Sequence, residues 1–90
     1  MYAVAVRVTI TDAERARELL TSRVVPAVSG APGFKAAYWT WPTDGPTNGL
    51  SLAIFDSEDD ARAVADRVPG MATDAVDLES VEVREVVASA

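Results

Sequence analysis

The sequence predicts an α+β fold in which two helices and four strands follow the order β-α-β-β-α-β. Three observations predict it. Apolar residues alternate with others in four separate stretches, which is the period of a strand. Two intervening segments carry them at three- and four-residue spacing, and each begins at a side chain able to cap a helix. Finally, the first and third strands, Tyr2-Ala3-Val4-Ala5-Val6 and Leu50-Ser51-Leu52-Ala53-Ile54-Phe55, are apolar on both faces. A sheet covered by helices on one side ordinarily turns polar residues to the other. A chain of 90 residues has no spare element for that second face, so a second copy of the chain is expected to cover it.

The first strand reads from Tyr2 to Ile10. Thr11, with Glu14 three residues on, has the spacing of a capping box. Ala16, Leu19, Leu20, Val24, Ala27 and Val28 then form one apolar helical stripe. Pro26 lies inside it and predicts a kink or unravelling near Thr21–Arg23, because proline lacks the N–H that a helix needs. Gly30, Pro32 and Gly33 stop the helix. The second strand reads Phe34–Trp41, with Trp39 and Trp41 on one face and Tyr38 and Phe34 on the other. Residues 42–49 are dense in turn formers and close a long hairpin. Ser57 caps a second helix whose face is Ala61, Val64, Ala65 and Val68, and Pro69-Gly70 ends it. A loose segment from Met71 to Asp77 leads to a last strand, Leu78–Val87. This is the ferredoxin-like, split βαβ order, with a four-stranded antiparallel sheet.

Residues 1–90 read as one domain. Apolar content of 49% and charged content of 24% suit a folded globular chain. No apolar run approaches the ~20 residues that span a bilayer, and the N-terminus runs straight into a strand without a basic, signal-like leader. The expectation is a cytoplasmic protein with no membrane partner. The net charge is -6, and the eight basic residues are scattered singly, which argues against nucleic acid. Cysteine and histidine are both absent. That removes disulfides, thiolate chemistry, the commonest general base and the usual haem and transition-metal ligand. Asp56, Glu58, Asp59 and Asp60 lack the spacing of a calcium loop and read as acids favoured by a helix N-terminus, so no metal site is expected. Ser51 and Ser57 have no histidine to activate them as nucleophiles.

Three segments resemble the antibiotic-biosynthesis monooxygenase family, whose members are dimeric α+β barrels. They are Val24-Val25-Pro26-Ala27 late in the first helix, Pro32-Gly33-Phe34 opening the second strand, and Ile54-Phe55-Asp56-Ser57-Glu58 at the junction of third strand and second helix. The resemblance implies a ferredoxin-like unit paired into such a barrel. It also locates departures from the family. The junction tryptophan falls at Phe55, and the strand-one asparagine of the haem-degrading branch falls at Val6. The haem-binding histidine has no counterpart. The oxygenase branch's asparagine falls at Ser51 and its helix-two tyrosine at Ala61. Haem degradation is therefore disfavoured and no cofactor is expected.

The function these readings imply is a homodimeric barrel that binds a small hydrophobic or aromatic molecule, with cofactor-independent oxygenation as the family's chemistry. The alternative is a non-catalytic binding or accessory protein that keeps the barrel alone. For catalysis the candidate donors are Ser51, Tyr38 and Trp39, and Val6, Phe55, Ala61 and Arg7 are candidates for the ligand pocket. Arg7 reads two ways, as an anion anchor or as the partner of Glu79 or Glu82 on the neighbouring strand. Tyr38, Trp39 and Trp41 likewise read as walls for a flat ligand or as interface packing.

Overall fold

The computed structural model describes residues 1–71 and 73–90; residue 72, within the segment expected to be loose, lies outside the described residues. Strand β1 (Tyr2–Ile10) occupies its expected span. Helix α1 (Ala13–Leu19) follows, then a π-helical turn (Leu20–Val24) and helix α2 (Val25–Ser29). Strands β2 (Phe34–Thr40) and β3 (Asn48–Phe55) form the hairpin, and helix α3 (Glu58–Met71) leads to β4 (Val76–Glu85). The strands form one antiparallel sheet in the order β2-β3-β1-β4, the ferredoxin-like topology.

The expected disturbance around Pro26 is a change of helix type. Within Leu20–Val24 the ladder widens, so that the Val25 N–H donates to the Leu20 carbonyl five residues back. Pro26 then sits in the first turn of α2, where its missing N–H costs least. The Thr21 hydroxyl reaches back to the carbonyls of Arg17 and Glu18 at 3.2 and 3.1 Å.

Several boundaries differ from the sequence reading for identifiable reasons. Asp12, not Thr11, caps α1, its carboxylate accepting from the Arg15 N–H at 3.1 Å. Thr11 is tied instead to the approach to β4, its N–H donating to Ala75 and its hydroxyl to the Asp74 carbonyl. Ser57 caps α3 as expected, accepting from the Asp60 N–H at 3.2 Å. That helix continues through Pro69 to Met71, because Met71 packs against the core and holds the last turn. β4 starts and ends two residues early, since Val76 finds Ile10 opposite it and Glu85 finds Tyr2.

Two bulges reset the alternation of side chains. Lys35 is the extra residue between the pairs Phe34↔Phe55 and Ala36↔Ile54, and Glu79 is the extra residue between Ser80↔Arg7 and Leu78↔Val8. The first of these corrects the face assigned to Phe34. Phe34 lies with Phe55 on the helix side, ring centroids 6.0 Å apart in an edge-to-face pair, while Tyr38 stays on the other side.

Phe55, Val4, Val28 and Val64 form the core with Ala31, Ala53 and Ala61, small residues that let the helices approach the sheet closely. Gly33 carries φ +77°, and a Cβ there would collide with the Asp60 side chain at the start of α3. The opposite face of the sheet is bare. Leu50 and Leu52 are both 41% exposed there and Tyr38 68%. Ion pairs lie at the periphery, among them Arg84–Glu82 at 2.7 Å on β4.

Candidate functional site

The helices do not seal the sheet along its whole length. Between the inner face and the π-helical turn lies a cavity of about 440 Å³, within the range of small-molecule sites. Its origin is in the sequence. The inner face alternates Val4, Val6 and Val8 on β1 with Gly49, Ser51 and Ala53 on β3, so its middle row is built from small side chains. Leu20 and Val24 form the opposite wall from the widened turn, while Val64, Val68 and Met71 close it from α3.

Gly49 holds part of this space open. It pairs with Val8, and a Cβ on it would come within 2.9 Å of Val8 Cγ2, too close for the valine to keep its place. A row running across the sheet, Trp39–Ser51–Val6–Val81, places an indole and a hydroxyl side by side against the cavity. Ser51, Thr21, Thr40, Thr73, Trp39, Trp41 and Arg17 are the lining residues whose side chains carry polar groups. At the mouth the Arg17 guanidinium lies over the Trp41 ring, 4.6 Å from its centroid.

The candidates from sequence fall into three places. Ser51, Trp39 and Val6 line the cavity together. Phe55 and Ala61 are fully enclosed in the adjoining core, both 0% exposed, and are not part of the wall. Tyr38 and Arg7 lie on the bare face with the sheet between them and the cavity. Arg7 stands opposite Leu50 and Ser80, and Glu82, one of its two expected partners, is bonded to Arg84 instead. Arg17, Thr21 and Gly49 are the residues that sequence reasoning missed. Arg17 carried one signal, since it lies three residues before Leu20 and so beside the apolar stripe.

This arrangement can desolvate a flat apolar molecule and orient it by hydroxyl and indole donors. It does not fit haem ligation. The chain has neither histidine nor cysteine, Tyr38 is on the wrong side of the sheet, and Tyr2 packs against the core outside the cavity wall. Among the described residues there is no cluster of three or more potential metal ligands, and no helix is long and apolar enough to cross a membrane.

No family model matches the sequence, and no curated protein matches it significantly. Solved structures do match in three dimensions. SnoaB from Streptomyces nogalater, a cofactor-independent oxygenase, superposes with a TM-score of 0.76 at 15% identity, covering 98% of this chain and 94% of SnoaB. A candidate antibiotic-biosynthesis monooxygenase from Deinococcus radiodurans gives 0.69 at 15% identity, covering 100% of this chain and 96% of that one. The chain has the antibiotic-biosynthesis monooxygenase fold. MhuD, a haem degrader from Mycobacterium tuberculosis solved with two haems in its active site, shares it, with a TM-score of 0.60 at 20% identity over 98% of both chains. One fold thus carries both an oxygenase that needs no cofactor and a protein that takes haem, and the side chains in the cavity must decide between such uses.

Proposed function

We propose that this chain binds a small hydrophobic or aromatic molecule in the cavity between its sheet and helices, and does so as a homodimer. The observation that carries the binding reading is the cavity itself, about 440 Å³ of mostly apolar surface with Trp39 and Trp41 on its wall. A cavity of that size forfeits the packing that a core would otherwise make, which is a stabilising reason for a ligand to fill it. Titration with quinones, anthrones and phenols, followed by tryptophan fluorescence, tests the reading. Saturable quenching with at least one of them is expected. An unchanged signal across the panel, with no thermal shift, refutes it.

The homodimer rests on the bare face. Leu50 and Leu52 at 41% exposure and Tyr38 at 68% sit in one patch with Ile54 and Ala36, the kind of contiguous apolar surface that marks an interface. Sedimentation at micromolar concentration should give about twice 9.5 kDa. A stable monomer overturns it.

The full-length likeness to SnoaB favours one further step, turnover of the bound molecule with oxygen. In that reading the substrate supplies the electrons. A ring methylene gives up two hydrogens, one oxygen atom enters as a carbonyl, and the other leaves as water. Ser51 and Trp39 hold the substrate oxygen on which negative charge develops. Oxygen uptake with an anthrone, lost in Ser51→Ala, supports turnover. Binding without uptake leaves the non-catalytic alternative.

A further inference from the structure

Charge is distributed unevenly between this protein and its cavity. The chain carries 14 acidic and 8 basic residues, yet among the described residues the cavity wall contains no aspartate or glutamate and a single cation, Arg17. Arg17 is also uncommitted. The ion pairs present are Arg15–Asp74, Lys35–Asp56, Arg62–Glu58 and Arg84–Glu82, so among the described residues no carboxylate lies within 4.0 Å of it. Glu14 and Glu18 border a shallow depression on the outer side of Arg17 and Trp41 without pairing to it.

The stack on Trp41 fixes where that cation stands. A guanidinium held over a ring by its charge keeps its N–H donors at its edges, and among the described residues no side-chain hydrogen bond uses those of Arg17. Those donors match the two oxygens of a carboxylate. The rest of the described wall is apolar apart from neutral hydroxyls and indoles, and offers such an anion nothing to repel it.

On the reading of the cavity as a binding site, we infer that its ligand is an amphipathic acid: a flat apolar body inside, and a carboxylate at the mouth held by Arg17. Arg17 is then a specificity residue, selecting acids over neutral molecules of the same shape. Trp41 is its positioning residue, acting through the stack.

Calorimetric titration of the intact protein with two probes of one ring system, 2-naphthoate and naphthalen-2-ylmethanol, tests this. Wild type should bind 2-naphthoate about tenfold more tightly than the alcohol, the worth of a charge-assisted hydrogen bond. Arg17→Gln should abolish that preference, the affinity for 2-naphthoate falling to about that for the alcohol. Trp41→Leu should weaken both probes, since the ring lines the wall, and the acid by the larger factor, whereas added salt should weaken only the acid. If wild type binds both probes equally, or if Arg17→Gln keeps the preference, the inference is overturned and the cavity remains a binding site. If neither probe binds while the quinones, anthrones and phenols do, the inference alone is again overturned. If nothing in either set binds, the binding reading falls with it.

Discussion

Phe55 provides the sharpest separation of core from site. It stands where the sequence resemblance puts the family's junction tryptophan, yet it is 0% exposed and packs edge-to-face on Phe34. Replacing it by alanine removes a whole ring from a region closed by Val4, Ala61 and Val64. Such truncations cost about 3–5 kcal/mol, of which the lost ring pair accounts for about 0.5–1.5. A 90-residue domain has about 5–13 kcal/mol in all, at roughly 0.05–0.15 per residue. Phe55→Ala therefore removes from a quarter to nearly all of the stability. Phe55→Leu keeps most of the volume and should cost about 1–2 kcal/mol. Urea unfolding monitored by the two tryptophans measures both. Protein concentration must be held constant, because the proposed dimerisation would add to apparent stability. The decisive comparison is ligand affinity in the folded Phe55→Leu protein, which should stay within about twofold of wild type since the ring is not in the cavity wall. A loss of less than 1 kcal/mol in Phe55→Ala, or a tenfold loss of affinity in Phe55→Leu, would refute the assignment of this residue to the core.

Other outcomes follow from the same geometry. Leu52→Glu puts a charge on the bare face, where Leu52 is 41% exposed, so the expected result is a folded chain that sediments as a monomer, because an unpaired carboxylate cannot be buried at an interface. Gly49→Val pushes on Val8 and fills the cavity; affinity for ring ligands should fall at least about tenfold in calorimetry, with the circular dichroism of the fold retained. Haemin should give only the broad spectrum of adsorbed pigment, because the chain has no histidine or cysteine. A sharp Soret band saturating at one equivalent per chain would contradict that, and its loss in Tyr38→Phe would identify the ligand.

Much of the fold was legible because it follows from periodicity and local chemistry. The alternation in Tyr2–Ile10 and the cap at Ser57 are signals that tertiary context did not override. Where the reading slipped, a non-local contact had intervened. Phe34 changed faces because Lys35 is an extra residue in the pairing, which no count along one strand reveals. α3 passed Pro69 because Met71 has a core to bury against. The site was legible to the extent that it lies on strands, so Trp39, Ser51 and Val6 meet as alternation and topology require. Arg17 and Gly49 were not, since their roles depend on Trp41 and Val8, which the fold alone brings to them.

The two bulges also govern how copies of this sheet can meet. β2 and β4 are its outermost strands, and each bulges at a charged residue, Lys35 on one and Glu79 on the other. An unbroken outer strand would offer a row of free amides and carbonyls to any passing chain, which is how sheets extend into fibrils. Here the row is interrupted on both sides while the apolar face between them stays flush. Edge-to-edge growth is thereby handicapped, and the proposed pairing of two copies is left to the face, which one copy can fill and close.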